Sequence, residues 1–503
     1  MFCEECGAKL EPGIRFCENC GTPVPLSTVA SDSKKEISSD MENGVIVTRL
    51  ASLAAQLGCS SQEIFNKIAE YVQYKKSRGI NYTLIDLENS GASVGNVISA
   101  LKNKRNETVF KYVFILGNEE IIEVAEFENL SRDSDSTVTT DLPFMTLMEE
   151  SPWNNLPDNI EDFYRVGRLP SYRGESFSKF VSYFENSMKS DNSFEKLKPY
   201  GLSAKVWKPE SDYEYNNISL KATDSAPDIT VSSVSSRIES DSNIFFFNLH
   251  GSDETKYWYG QEDDNYPEAF SPDNLSSINR PYFLGVEACY GARYLGNLDE
   301  NESILIRAMQ SGCLALLGSS KIAYGTSEPE GSCADFMIGE YLKQIVKGAS
   351  AGDAHIAGIK RLFEDEDDFS DTEIKTLSEF SLYGDPSAHT GKNASKITLK
   401  STFSSSLING TKKTVNGFHI SMPDIRRSVG MSLAEVDEKI STIINEHVYS
   451  THKELAGIIP RTYKMSEKEL WQSIYEKKNG VIQKTVKVYF EKNGKITREL
   501  ESK

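Results

Sequence analysis

The sequence predicts an α/β protein built on a mostly parallel central sheet, and two observations carry that expectation. Between residues 80 and 392, short runs of aliphatic and aromatic residues alternate with stretches of helical periodicity. That rhythm belongs to strand–helix–strand units, whose strands are covered on both faces. The chain has 503 residues, 39% hydrophobic and 26% charged, too long for one core and apolar enough to fold as several domains.

Residues 1–25 hold two C-x-x-C pairs, Cys3/Cys6 and Cys17/Cys20, each followed by glycine, with a turn at Pro12-Gly13. Four thiolates with no open position predict a structural zinc in a zinc ribbon, a segment too small to own a core. Residues 26–43, rich in Ser, Asp and Lys, read as a flexible linker. Residues 44–79 carry apolar positions at helical spacing (Leu50, Leu53, Leu57, Ile64, Ile68, Val72), with Ser60 or Ser61 as a cap before Glu63. A large domain follows at 80–392. Its strands are expected at 82–87, 110–116, 244–249, 282–287 and 313–317, and its helices at 94–104, 175–188, 303–310 and 334–346. Residues 393–503 form a smaller α+β C-terminal domain, with Ser432/Glu435 and Ser466/Glu469 as capping boxes and a hairpin at Asn493-Gly494.

A formal charge of −19 disfavours nucleic acid and anionic lipid as partners of the whole molecule. The ribbon has Glu4, Glu5, Glu11 and Glu18 against Lys9 and Arg15, which points to protein docking rather than phosphate binding. The N-terminal residues lack a signal-peptide pattern, no apolar run can span a bilayer, and the cysteines outside the ribbon are scattered. The expected location is the cytoplasm, without membrane attachment.

Two strand ends carry chemistry. Ile244–Leu249 runs into His250-Gly251, and Tyr282–Glu287 runs into Ala288-Cys289-Tyr290-Gly291. A thiol nucleophile needs an imidazole to take and return a proton, and N–H donors for the developing oxyanion. In open parallel sheets such groups collect beyond the strands' carboxyl ends. Strand-His-Gly followed by strand-Glu-Ala-Cys-x-Gly resembles the caspase/gingipain superfamily of cysteine peptidases. Leu316–Ser320, Leu382-Tyr383-Gly384-Asp385-Pro386-Ser387, Asp141-Leu142-Pro143 and Val166-Gly167-Arg168-Leu169-Pro170 resemble further motifs of its gingipain branch.

That resemblance implies a caspase-like α/β/α sandwich and a cysteine endopeptidase acting on protein substrates. It makes Cys289 the nucleophile and His250 the general acid/base, with the Gly251 and Cys289 N–H groups as oxyanion donors. Glu210-Ser211-Asp212 resembles the specificity segment of arginine-specific members, implying Asp212 as the acid that recognises Arg or Lys before the cut. Tyr324 is implied as a wall of that pocket. The stretch near Tyr200-Gly201-Leu202 offers no carboxylate to orient His250, so a plain dyad is expected.

His355, His389, His419, His447 and His452 form no zinc-protease pattern. The acidic runs 262–264 and 364–368 could attract calcium, but neither follows an EF-hand register, so no motif supports that ion. The leading expectation is a latent, regulated peptidase performing limited proteolysis on a protein recruited through the ribbon or the C-terminal domain. The alternative is a non-catalytic caspase-like scaffold or adaptor using the same docking modules.

Overall fold

The structure is a computed structural model that describes residues 41–149, 160–190, 193–278, 280–364, 370–391, 431–465 and 469–503. The ribbon cysteines Cys3, Cys6, Cys17 and Cys20, most of the linker, most of the run 364–368 and Ser466 lie outside them. The chain divides into two compact units, Met1–Glu42 and Asn43–Lys503.

Twenty strands are described. In chain order they are β1 (Glu42–Thr48), β2 (Ile80–Asp86), β3 (Tyr112–Leu116), β4 (Ala125–Glu128), β5 (Thr137–Thr140), β6 (Arg165–Leu169) and β7 (Pro199–Ala204). Then come β8 (Asp224–Ala226), β9 (Ile244–Asn248), β10 (Trp258–Tyr259), β11 (Glu268–Phe270), β12 (Tyr282–Val286), β13 (Cys313–Ser319), β14 (Tyr324–Gly325) and β15 (Phe380–Gly384). The last are β16 (Met431–Leu433), β17 (Arg461–Met465), β18 (Leu470–Asn479), β19 (Ile482–Glu491) and β20 (Ile496–Ser502).

Ten strands make the central sheet, in the order β2-β1-β3-β6-β15-β13-β12-β9-β7-β8. The pairs from β1 to β15 and from β13 to β8 are parallel, and only β13 against β15 is antiparallel among those with a resolved register. Its middle strands are buried on both faces, as their uninterrupted apolar runs require. Helices cover both sides of β12. A Cβ at Gly285 would press on Ile338 and Leu342 of the helix Ala334–Val346, whereas Tyr282, of opposite parity, reaches Ala308 of the helix Ile304–Gln310. This is the mostly parallel α/β architecture with flanking helices expected of a caspase-like fold.

The helices at 94–107, 177–188, 304–310 and 334–346 lie where their periodicity placed them. Residues 44–79, expected to be helical throughout, instead open with strand β1. Val45, Ile46 and Val47 are consecutive β-branched residues buried at the centre of the pairing with β3, and that context outweighs the helical spacing starting at Leu50. The following helix Ser61–Ser77 has the expected capping box at Ser60 and Glu63.

A second, six-stranded sheet runs β14-β20-β19-β18-β17-β16. Five of its strands come from residues 431–502, and the sixth, Tyr324–Gly325, comes from the segment following β13. The hairpin at Asn493-Gly494 joins β19 to β20, with Gly494 at a φ of +84°. Ser432 is not a helix cap but a residue of β16. The helix Glu438–Thr451 is capped by Asp437, whose carboxylate accepts from Lys439 N–H at 2.9 Å.

Candidate active site

Strands β9 and β12 are parallel neighbours in a register that matches Phe246 with Gly285 and Phe247 with Val286. His250-Gly251 and Cys289 both lie just beyond the carboxyl ends of these strands. The two backbones touch there. A Cβ at Gly251 would collide with the Cys289 backbone, so only glycine allows the approach.

Both side chains are buried, His250 at 0% and Cys289 at 2% exposure. The imidazole packs on Trp207, ring centres 4.2 Å apart, and meets the edge of Tyr266 at 5.0 Å. Its Nε2 is 2.6 Å from Gln261 Oε1, an oxygen that can only accept, so Nε2 carries the proton and the Nδ1 lone pair is bare. Gln261 is held by Nε2–H donation to the Asp263 carbonyl, in the turn following β10, and His250 is bridged by two backbone bonds to Tyr259 of that strand. Sequence reasoning found no orienting group for His250; Gln261 fills that position from 11 residues downstream, and no local pattern signals it.

Burial pulls the His250 pKa down to about 3, helped by the nearby Lys484 ammonium. Burial likewise pushes the Cys289 thiol well above its usual range. Both groups are therefore neutral at pH 7. Cys289 Sγ leans on the Ala323 carbonyl at 3.6 Å, and its backbone N–H donates to the backbone oxygen of Lys503 at 3.1 Å.

Beside Cys289 is a buried pocket in which Glu210, Glu287 and Asp335 converge, their carboxylate oxygens within 4.8 Å of one another. The Lys503 ammonium fills it, 3.0 Å from Asp335 Oδ1 and 3.8 Å from Glu210 Oε2, donating to the Thr326 carbonyl at 3.2 Å and lying 4.5 Å from the Trp207 ring centre. Asp335 is fixed by the N–H groups of Thr326 and Ser332, both at 2.9 Å, and Glu210 by Asn248 Nδ2 at 2.8 Å. Burial, followed by mutual repulsion among the acids, raises the pKa of Glu210 and of Glu287.

Asp212 is not in this pocket. Its carboxylate accepts from Lys208 Nζ at 2.8 Å and from Thr223 N–H and Oγ1, each at 2.7 Å, at the half-exposed face of the helix Lys208–Tyr215. Residues two apart on a helix point roughly 200° apart. Glu210, on the opposite face, is the member of the Glu-Ser-Asp segment that reaches the cation. Tyr324 does not wall the pocket with its ring either. Its hydroxyl donates to Asp133 Oδ2 at 2.8 Å, its ring lies 4.2 Å from Lys487 Nζ, and it is its backbone that faces the pocket's occupant through β20. Glu287, immediately before Ala288-Cys289, was part of the resemblance without a role. Asp335 and Trp207 carried no sequence signal.

The remaining motif residues are structural. Arg168 makes a two-pronged pair with Asp141 at 2.9 and 2.7 Å. Asp385 accepts from Tyr71, Tyr82 and Lys75 at 2.5, 2.6 and 3.0 Å.

No helix among the described residues is long and apolar enough to cross a membrane. Residues 2–24 match the zinc-ribbon domain. A search of curated proteins finds no match. A solved structure described as "Structure of Protease" is 11% identical with a TM-score of 0.46, covering 92% of this chain and 97% of that one. Residues 56–390, which include His250 and Cys289, match peptidase family C25. The chain thus belongs to peptidase family C25, a family of cysteine endopeptidases.

Proposed function

We propose that Cys289 and His250 form the catalytic dyad and that the enzyme cuts protein chains after a basic residue. His250 Nδ1 takes the Sγ proton, and the thiolate attacks the scissile carbonyl carbon. The oxyanion that forms is held by the Cys289 N–H and the adjacent Gly251 N–H. The imidazolium then protonates the leaving amine, and a water activated by the same Nδ1 releases the acyl group. Gln261 keeps the proton on Nε2 throughout.

One observation carries this reading: a lysine, Lys503, has its backbone oxygen on the nucleophile's own N–H while its ammonium lies among three carboxylates. That is the pose of a residue preceding a scissile bond, with Glu210, Glu287 and Asp335 as the recognising acids in place of Asp212. Fluorogenic peptides differing only at that residue test it, each run with wild type and Cys289→Ala. Turnover of Lys or Arg peptides by wild type alone is expected; preference for Ala or Asp would reject the specificity, and equal turnover by Cys289→Ala the nucleophile.

Cys3, Cys6, Cys17 and Cys20 supply a closed four-thiolate set suited to structural zinc, and the ribbon then serves protein docking rather than chemistry. Metal analysis should find one zinc per chain, lost on Cys3→Ser/Cys6→Ser with peptide turnover retained. Cys59, Cys289, Cys313 and Cys333 form no disulfide with one another, which suits a reducing cytoplasm.

A further inference from the structure

The dyad is covered by the chain itself, and the cover lies as a substrate would. Strand β20 runs antiparallel to β14, with Ser502 opposite Tyr324 and Glu501 opposite Gly325. Lys503 N–H donates to the Ala323 carbonyl at 3.0 Å, and its backbone oxygen receives the Cys289 N–H at 3.1 Å. An extended peptide added to an open strand edge makes this pattern, backbone bonds giving grip and side-chain pockets giving choice.

Each side chain of the segment has a built site. Lys503 fills the acidic pocket, where glycine at 325 leaves the room: a Cβ there would collide with Lys503 Cε and Asp335 Oδ1. Glu501 accepts from Trp207 Nε1 at 2.7 Å and pairs with Lys484 of β19. Leu500 joins an apolar cluster with Cys289, Ile322, Tyr324, Cys333 and Tyr489. Leu500, Ser502 and Lys503 are no more than 1% exposed. A lysine so deeply buried is tolerated only because the acids pair it.

We propose that residues Leu500–Lys503 are a tethered pseudosubstrate, holding the peptidase latent until β20 withdraws from β14. The same contacts assign the substrates accepted in trans: extended peptides with lysine before the cut and an acidic residue two positions earlier. This rests on the catalytic reading of Cys289 and His250. The regulator is then whatever pulls the five strands β16–β20 off β14, and the occupant of the cleft is part of this chain.

The test uses the full chain as wild type, Lys503→Met and Lys503→Glu, with Cys289→Ala as control. The rate of Cys289 alkylation by iodoacetamide is read by mass spectrometry beside turnover of a Glu-Ser-Lys fluorogenic peptide. Both should rise about tenfold or more in Lys503→Glu, because the open fraction sets the apparent reactivity. A synthetic peptide with the sequence of residues 496–503 should suppress both. Unchanged alkylation in two folded variants overturns the proposal, as does wild-type turnover equal to theirs. Faster alkylation without turnover leaves the pseudosubstrate standing and sinks the catalytic reading instead. Should the variants misfold, hydrogen exchange on wild type decides. Labelling Cys289 with a lysyl peptide electrophile should deprotect 496–503 but not β18, and full labelling with β20 still protected overturns the proposal.

Discussion

His250 is neutral because it is buried, and it is aimed because Gln261 holds its far nitrogen. Replacing Gln261 with Leu frees the tautomer and the ring angle, and should cost about ten- to a hundredfold in kcat while Gln261→Glu retains most activity, within the range general-base catalysis contributes. Steady-state kinetics with a pH profile checks this. Burial has a second consequence. The folded pKa of about 3 lies below the ordinary 6.5, so between these values the unfolded chain binds the extra proton. Stability from this group is full above pH 6.5 and is lost as pH falls toward 3, by about 1 kcal/mol per pH unit. His355, lowered to about 4 by burial, adds the same sign, whereas Glu214, raised to about 7 by burial, opposes it. The readout is therefore the difference in urea-unfolding stability between wild type and His250→Gln, which should shrink as pH falls from 7 to 4. The strand-end positions of His250 and Cys289 were legible in the sequence, since apolar runs end just before each and glycine follows. The pocket acid was only half legible: Glu-Ser-Asp marks the segment, but which carboxylate faces inward depends on helix phase.

Five strands of the central sheet, β2, β3, β9, β12 and β13, and four of its helices were legible because each is a local pattern, an apolar run or a helical stripe; β6, β7, β8 and β15 were not expected as strands. β1 was missed where a strand of three β-branched residues abuts a helical stripe. The pairing of β14 with β20 was illegible for a different reason. It joins Tyr324 to Ser502, far apart in sequence, and nothing local in two residues before a loop announces a strand edge. That edge also explains Gly325. Its missing side chain is the floor space for the lysine, so Gly325→Ala should raise KM for lysyl peptides about tenfold or more, since even one added methylene in a packed site costs 1–3 kcal/mol. Measured with a substrate bearing alanine before the cut, the same variant should show no loss, and a gain to the extent that the new methyl expels Lys503. Equal losses on both substrates would place the effect in folding instead.

Across the molecule, buried charges pin the peptidase sheet to its cover. Asp133 and Asp135, in the loop between β4 and β5, receive Lys375 Nζ at 2.7 and 2.8 Å; Asp133 also accepts from Tyr324 and lies 3.9 Å from Lys487 of β19. One carboxylate thus joins a loop, the helix Asp371–Glu379, β14 and the second sheet. Against burial, which would raise it, Lys375 and Lys487 hold Asp133 well below the usual carboxylate range. Breaking such a pair strands a charge away from water, whereas removing both partners does not. Asp133→Asn should therefore destabilise by about 3–5 kcal/mol. Lys375→Met alone should cost a similar amount, because Asp133 and Asp135 then face each other with less compensation. The double variant Asp133→Asn/Lys375→Met should recover much of the loss, read as a non-additive term of about 1–3 kcal/mol in a urea-unfolding cycle. Additive costs would mean that the two side chains act independently. Because Tyr324 hangs from Asp133, Asp133→Asn should also loosen β14 against β20, so hydrogen exchange at 496–503 should quicken before the central strands β9 and β12 respond. Uniform exchange across both sheets would show instead that the cover and the catalytic sheet open as one cooperative body.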